Sequence, residues 1–380
     1  MFTSSVSTTS HLLVIALVCF ANTAAAQGAR WTLKETLRIG GAESGPTSFV
    51  SIRSMDVDSK GRILVMDRST QDIKMFAPDG KYVRTIGRKG SGPGEMKNAE
   101  GMIIAHDGRI WVRDAANARF TVFTPEGEFD KNWTTRFCWS QGTWNPQVDR
   151  QKGRIIDYDC MIVAGRGREY AVLGYRGDLA TIDTLYTRPE CGTRELSEAG
   201  TWIKRSEKST MYVSIPFAPS PIGMLGPAGE MWCAPNSSRY EVQRLVAGAK
   251  DTVRFTRNVP AVPVTKAERD SIIQRYDEKG PSGFEFDRIP KTKPAIDRIT
   301  IDDQGRPWIR RTNAQGLVTF DVYDRAGKPV ASVDLSAAIT ETGPINSPMH
   351  MPFVVRGDHV YMVVLDDDDV QHVVRYQIGR

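Results

Sequence analysis

The chain lacks several of the sequence signs that mark common enzyme classes. No Gly-x-Ser-x-Gly segment is present, so serine hydrolase chemistry has no support here. No Cys-x-x-Cys pair occurs, which argues against a zinc site. Helical periodicity is nearly absent, which argues against a helical fold. A large excess of charge of one sign is also missing: the formal net charge is +5 over 380 residues, with basic and acidic residues interleaved. We therefore expect no nucleic-acid partner.

What the chain does contain is a repeated unit of Asp, a tight Gly-Arg turn and an apolar strand. It occurs as DSKGRILVMD (58–67), DGRIWVRD (107–114), DRQKGRIIDYD (149–159) and DQGRPWIR (303–310). The turn glycines Gly61 and Gly108 are 47 residues apart, and Gly80 and Gly127 keep the same offset. A unit of this length made of four short strands is typical of a propeller blade.

Six such units fit in the chain. Their first turn glycines are Gly61, Gly108, Gly153, Gly229, Gly305 and Gly357. The sequence thus predicts an all-β fold, a six-bladed β-propeller. Segment 37–46 (LRIGGAESGP) echoes segment 85–93 (TIGRKGSGP), so we expect residues 31–39 to form the outer strand of the last blade, paired with 373–378. Such pairing would hide the open edges of the ring.

One blade unit carries a family resemblance. The segment DAANAR (114–119) and the turn that follows it resemble the repeat of NHL-type six-bladed β-propellers. The resemblance covers most of the mature chain, although blades three to six drift from it, and blade four keeps only Gly229, Asn236 and Arg239. Lyases of the NHL-like group use several histidines around the central cavity. This chain has 5 histidines and does not show that set.

A single helix is expected between blades four and five, within an insertion at about 260–290. Thr265 and Glu268 have the spacing of a capping box, and Gly280 follows the apolar positions of the segment.

The N-terminal segment predicts export. Residues 1–26 contain no charged side chain, and an apolar run at 12–21 precedes three alanines at 24–26. These features are typical of a secretory signal peptide, and the run is too short to span a membrane. We expect residues 27–380 to form a single propeller domain in the periplasm or outside the cell.

Four cysteines remain after the leader, an even number that favours disulfides in an exported chain. They are Cys138, Cys160, Cys191 and Cys233. Three pairings are open, and their placement on the blades favours Cys138 with Cys160 and Cys191 with Cys233. A zinc site is the alternative.

A ligand is expected on the face where the connections between blades emerge, which we call the loop-rich face. Long connections at 188–209 and 260–290 lie there, and loops on a rigid scaffold commonly carry binding groups. The candidate ligand-binding residues are Arg68, Asp114, Arg119, Trp139, Arg310, Arg311 and His350. Trp139, Trp144 and Trp202 are expected to be exposed there.

Each candidate also has a structural interpretation. An Asp that closes a strand commonly caps backbone N–H groups, and Arg119 would pair with such an Asp. Arg310 and Arg311 depart from the repeat, where an acidic residue is expected, and a guanidinium fork at a pocket mouth suits a carboxylate or phosphate. His350 is the one histidine expected in an inner strand, where a buried core role is the alternative.

The acidic run 366–369 offers weak metal candidates. Asp366 and Asp368 could contribute oxygen ligands to Ca²⁺, but consecutive aspartates in an extended chain cannot all face one ion. A solvated turn is the favoured interpretation.

The sequence favours an exported binding or interaction module that holds a peptide, a glycan or a small anionic ligand on its loop-rich face. A metal-assisted hydrolase or lyase with an axial divalent cation is the first alternative, with His350 and either Asp114 or the acidic run 366–369 as ligands. A structural envelope protein is the second. No catalytic residue is assigned, and a divalent cation is the one cofactor considered.

Overall fold

The computed structural model describes most of the chain from Gly28 to Arg380. The described residues are 28–135, 146–163, 167–176, 182–187, 191, 198–205, 210–246, 248, 253–279, 284–313, 315, 317–335 and 352–380. The predicted signal peptide at 1–26 therefore lies outside them.

The first half of the chain forms a long N-terminal strand and three four-stranded antiparallel sheets. The strand is β1 (Ala29–Gly40). Blade one contains β2 (Ile52–Val57), β3 (Ile63–Asp67), β4 (Asp72–Phe76) and β5 (Tyr82–Ile86). A short parallel pair, β6 (Arg88–Lys89) and β7 (Glu95–Met96), leads to blade two, which contains β8 (Ala99–Ile104), β9 (Ile110–Asp114), β10 (Arg119–Phe123) and β11 (Phe129–Thr134). Blade three contains β12 (Gln147–Asp149), β13 (Arg154–Val163), β14 (Gly167–Arg176) and β15 (Ile182–Thr187).

The second half adds three blades and two insertions. The first insertion is a hairpin of β16 (Thr201–Arg205) and β17 (Thr210–Ser214). Blade four contains β18 (Ile222–Leu225), β19 (Met231–Ala234), β20 (Glu241–Leu245) and β21 (Val253–Thr256). The helix α1 (Lys266–Lys279) follows, and then blade five with β22 (Arg298–Ile301), β23 (Pro307–Thr312), β24 (Val318–Tyr323) and β25 (Pro329–Asp334). Blade six contains β26 (Phe353–Arg356), β27 (His359–Leu365) and β28 (Gln371–Gly379).

The N-terminal strand closes the ring. Strand β1 is the fourth strand of blade six and pairs antiparallel with β28, with Leu33 opposite Ile378 and Ile39 opposite Val373. This register confirms the predicted closure. The start of β1 also pairs in parallel with β25 of blade five, which joins the last two blades into one sheet of eight strands.

The core is divided among the blade junctions. Separate clusters of buried apolar side chains lie between neighbouring blades at all six junctions. The largest side chains include Trp111, Trp232 and Trp308, which are at most 1% exposed. Because each sheet buries both faces against its neighbours, a chain of this length needs no single large core. The fold is a six-bladed β-propeller.

The two insertions pack together on the loop-rich face, and we call this unit the cap: hairpin β16–β17, helix α1 and residues 284–289. Trp202 of the hairpin is 2% exposed and contacts Tyr276 and Phe284. The helix begins with reciprocal hydrogen bonds between Thr265 and Glu268, as a capping box requires.

Within the described ranges, no helix is both long and apolar enough to cross a lipid bilayer.

Candidate functional site

A cavity of about 670 Å³ follows the axis of the propeller. The inner strands of all six blades contribute to its wall, including Met55, Met102, Ile299 and Val355. Each inner strand starts at the loop-rich face and ends at a tight turn on the opposite face. The cavity therefore has a loop-rich end and a turn-rich end, and different charged side chains line each one.

Two β-bulges shape the loop-rich end. In blade one Ile52 pairs with Asp67 and Ser54 with Met66, so Arg53 is the extra residue. Blade two has the same irregularity around Glu100, which lies 47 residues further along the chain. A bulge redirects a side chain out of the normal alternation of a strand. Arg53 consequently lines the cavity, although it belongs to a strand that is buried at every position.

Arg53 and Glu100 meet at the junction of the first two blades. The Arg53 Nε–H donates to the backbone oxygen of Glu100 at 3.1 Å. Burial lowers the pKa of Arg53, and the nearby positive charge of Arg68 lowers it further. Burial raises the pKa of the Glu100 carboxyl, against the opposing effects of Arg113 and Arg53. Arg53 and Arg68 thus place two positive charges near each other where blade one borders the cavity, with the Glu100 carboxyl close by.

A buried ion cluster supports this corner from behind. The Arg113 guanidinium lies 3.2 Å from Glu100 Oε2, 2.9 Å from Asp159 Oδ2 and 3.7 Å from Asp157 Oδ2. All four side chains are at most 8% exposed. Burial raises the pKa of Tyr175 well above its usual value, and Asp157 and Asp159 add to the effect. The cluster connects the sheets of blades two and three and keeps Glu100 in place.

Blade five repeats part of this arrangement. Arg310 aligns with Arg113 in the repeated unit, and it lies 3.7 Å from Asp297, which aligns with Glu100. The next residue, Arg298, lines the cavity and pairs across the sheet with Arg310. The loop-rich end therefore has arginine side chains in its wall on two different blades.

The turn-rich end of the cavity is bounded by ion pairs and capped turns. Arg356 of blade six lies 2.6 Å from Asp56 of blade one. Asp303 of blade five accepts the backbone N–H of Gly357 at 2.9 Å. These contacts connect neighbouring blades, which favours a structural role for this end.

The candidates Asp114 and Arg119 both have contacts within the protein. Asp114 is fully buried and accepts the backbone N–H groups of Lys97 and Asn98, both at 3.1 Å. Arg119 lies 3.7 Å from Asp114 and donates to the backbone oxygens of Gly92 and Glu95. The capping and pairing interpretation accounts for these contacts, and ligand binding by either residue remains a prediction.

The two adjacent arginines of blade five point to different places. Arg310 is 6% exposed, beside Asp297. Arg311 instead donates to Asp321 at 2.7 Å, where Tyr240 of blade four also donates to the same carboxylate. Because successive residues of a strand face opposite sides, the two guanidinium groups do not form one fork. Ligand binding by Arg311 remains a prediction.

The acidic run forms a turn. Asp366 accepts the backbone N–H groups of Asp368 and Val370 and lies 2.8 Å from the His372 ring. Among the described residues, no group of three or more His, Cys, Asp or Glu side chains is placed to hold a metal ion. Trp139, Trp144 and His350 lie outside the described residues.

The predicted disulfide between Cys191 and Cys233 is present. It ties the connection after blade three to the second strand of blade four, and Cys191 lines the cavity. The predicted bond between Cys138 and Cys160 concerns side chains outside the described part of the chain.

The expectation that Trp202 is exposed is wrong. Its ring is buried in the cap, and its Nε1–H donates to the backbone oxygen of Glu285 at 3.1 Å. A tryptophan in a long connection is exposed only if no second connection covers it. Here the helix insertion covers Trp202.

Sequence reasoning missed Arg53, Glu100, Arg113 and Arg298 as site residues. A signal was present for the first two, since a charged residue occurs at the same point of the repeat, near the start of the inner strands of blades one and two. The pairing irregularity that turns Arg53 toward the axis leaves no mark in the sequence.

Comparison with known proteins agrees with the fold. Residues 47–131 match the profile of the family DUF5128, described as a 6-bladed beta-propeller. The chain has this architecture. No curated protein matches it.

Similar solved structures share low identity with this propeller. Virginiamycin B lyase from Staphylococcus aureus is 12% identical, with 92% of this chain and 99% of that chain covered and a TM-score of 0.45. A putative exported protein from Bacteroides fragilis NCTC 9343 is 12% identical, with 92% and 96% covered and a TM-score of 0.49. The PQQ-bound aldose sugar dehydrogenase from Streptomyces coelicolor is 10% identical, with 93% and 100% covered and a TM-score of 0.45. At such identities the similarity concerns the fold alone.

Proposed function

We propose that this propeller is an exported binding module that holds a small organic anion at the loop-rich end of its axial cavity. The observation that carries the proposal is the position of Arg53 and Arg298, which line one cavity from two different blades. Arg68 adds positive charge beside Arg53. Guanidinium groups offer paired N–H donors that suit carboxylate and phosphate oxygens.

The carboxylates that line the cavity are also compatible with a negatively charged ligand. Asp56 is paired with Arg356, Asp297 lies beside Arg310, and Asp302 accepts hydrogen bonds from Trp308 and its own turn. These acidic groups have cationic or N–H partners within the protein. An anion entering from the loop-rich face therefore meets the arginines before any unneutralised carboxylate.

The size of the cavity suits a small molecule. Its volume of about 670 Å³ is within the range of roughly 300 to 1,000 Å³ found for sites that enclose drug-sized ligands. The wall is preformed, because it consists of inner strands that are held by sheet pairing and by the blade junctions. A rigid wall lowers the ordering cost of binding.

Export is the second part of the proposal. We infer that residues 1–26 are removed and that residues 27–380 act as one domain in the periplasm or outside the cell. The Cys191–Cys233 bond supports this, since disulfides persist mainly in oxidising compartments. N-terminal sequencing of the protein recovered from outside the cytoplasm should begin near Gln27, and an intact Met1 there would contradict cleavage.

Calorimetric titration with succinate and with inorganic phosphate tests the anion site. We expect at least one of them to bind the wild-type protein and the Arg298→Gln variant to bind it about tenfold or more weakly, since a hydrogen bond to a charged group contributes about 1.5–3 kcal/mol. Arg53→Gln should have a similar effect.

Arg254→Gln is the matched control, because Arg254 is exposed on the outer strand of blade four. It removes the same charge far from the axis and should leave binding unchanged. Absence of binding by both anions, or equal loss in the control and in Arg298→Gln, would contradict the proposal.

A further inference from the structure

The β16–β17 hairpin has two faces with different surroundings. Trp202 lies opposite Val213, and both pack inside the cap. Ile203 lies opposite Tyr212, and the sequence alternation of a strand puts this pair on the other face. Ile203 is 37% exposed and Tyr212 is 67% exposed.

The face that carries Ile203 and Tyr212 continues the wall of the axial cavity. Thr201 and Ser214, which pair with each other, occupy the same face two positions away, and both line the cavity. Two residues of a strand span about 7 Å. The exposed apolar pair therefore begins about 7 Å beyond the polar residues at the cavity edge, and we call it the shelf.

The shelf is held on a rigid support. Behind it, the Trp202 ring packs against Phe284 at a centroid distance of 4.8 Å. At its base, the Arg288 guanidinium donates to the backbone oxygens of Ala199 and Thr201, at 2.8 and 3.3 Å. The buried ring contact and the Arg288 hydrogen bonds hold the hairpin against the rest of the cap, so the shelf is present before any ligand arrives.

We infer that the anion bound by the cavity also carries an aromatic or apolar group, and that Ile203 and Tyr212 bind this group. The inference rests on the proposed function, because it places the anionic end of the same ligand at Arg53 and Arg298. Single exposed apolar side chains are common on protein surfaces. Here two of them face each other across a hairpin, and their face runs without a break into a cavity with arginines in its wall.

The chemistry of the ligand follows from the two ends. The arginines select a carboxylate or a similar anion. A tyrosine ring next to an aliphatic side chain offers a flat apolar surface, which suits a ring that can stack or pack edge to face. A small arylalkyl carboxylate has both parts, whereas a purely polar anion would leave the shelf exposed to water.

The experiment compares butyrate with 4-phenylbutyrate, which differ only in the ring. Binding of each is measured by NMR titration on the wild-type protein and on the Tyr212→Ala and Ile203→Ser variants. We expect the phenyl group to improve the affinity about three- to tenfold in the wild type, the size of a single aromatic contact. Tyr212→Ala should remove most of that gain and leave butyrate binding unchanged.

Tyr82→Ala is the control variant. Tyr82 is 43% exposed on the outer strand of blade one, away from the axis, so its removal should leave the gain from the phenyl group intact. Unfolding midpoints equal to that of the wild type for both tyrosine variants would show that neither change disturbs the fold.

The outcomes separate the two proposals. If butyrate binds and depends on Arg298, but the phenyl group adds nothing or its gain survives Tyr212→Ala, the shelf is overturned and the anion site stands. If neither compound binds while succinate or phosphate does, the shelf is overturned and the anion site stands. If none of these anions binds, or both compounds bind regardless of Arg298→Gln, the anion site and the shelf are overturned together.

Discussion

Replacing Arg113 by Met should destabilise the protein strongly, because it removes a buried cation that lies among three buried carboxylates. Arg113 lies 2.9–3.7 Å from Glu100, Asp157 and Asp159. At an effective dielectric constant near 20, a contact of this length contributes a gross attraction of about 5 kcal/mol. The cost of desolvating the charges offsets much of it, so the expected net loss is about 3–5 kcal/mol.

The loss should depend on pH. Burial already raises the pKa of Glu100 above its usual value of 4.5, and Arg113 opposes that shift. Without Arg113 the pKa of Glu100 rises further, so the folded variant binds a proton that the unfolded chain has released. Stability then falls as the pH increases above about 4.5, by at most about 1.4 kcal/mol per pH unit for each such carboxyl. The variant should be closer to wild type at pH 5 than at pH 7.5.

Urea unfolding followed by tryptophan fluorescence at these two pH values measures both effects. Arg176→Met is a matched control, since the Arg176–Asp183 ion pair is largely exposed and should contribute no more than about 1 kcal/mol. The double variant with Glu100→Gln should recover part of the loss, because one uncompensated charge is gone. A loss below about 1 kcal/mol at pH 7.5, or the same loss at both pH values, would refute the reasoning.

Two further predictions concern the covalent and backbone constraints of the fold. Cys191→Ser removes the disulfide to Cys233. The two residues are 42 apart in the sequence, so the unfolded chain should gain entropy that lowers the stability by about 4 kcal/mol. An unchanged urea midpoint would contradict that value. Gly127→Ala should lower the melting temperature more than Gly45→Ala does. Both glycines have φ near +88°, so the backbone strain of the two substitutions is similar. A Cβ at position 127 would lie 2.6 Å from the Ile86 side chain, whereas a Cβ at position 45 would have no atom within 4 Å. Equal shifts for the two variants would show that the contact with Ile86 has no cost.

The blade architecture was predictable because it is local. Each tight turn needs a residue with positive φ, and Gly61, Gly108 and Gly305 all adopt φ between +75° and +83°. The alternation of apolar residues between these turns indicates strands with one face in a core. Closure was predictable as well, since segment 37–46 repeats a segment that lies one blade further along the chain, and β1 pairs with β28 as that echo indicated.

The candidate site was only partly predictable. Arg68 was selected as a candidate, and it does lie near the cavity arginine Arg53. Arg311 was selected because it departs from the repeat, yet its guanidinium is directed to Asp321 at the junction with blade four. Arg53 was not selected, since nothing in a strand sequence shows which residue will be the extra one in a bulge.

The amino-acid sequence by itself determined the number of blades, the turns that separate their strands and the closing strand. These features depend on backbone conformation and on periodicity, which short segments encode directly. Only the tertiary structure decided which charged side chains line the axis, which ones are neutralised by a neighbouring blade, and that the two insertions bury Trp202 while leaving Tyr212 exposed. Those outcomes depend on contacts between segments far apart in the chain, where bulges and the packing of one connection on another set the direction of each side chain.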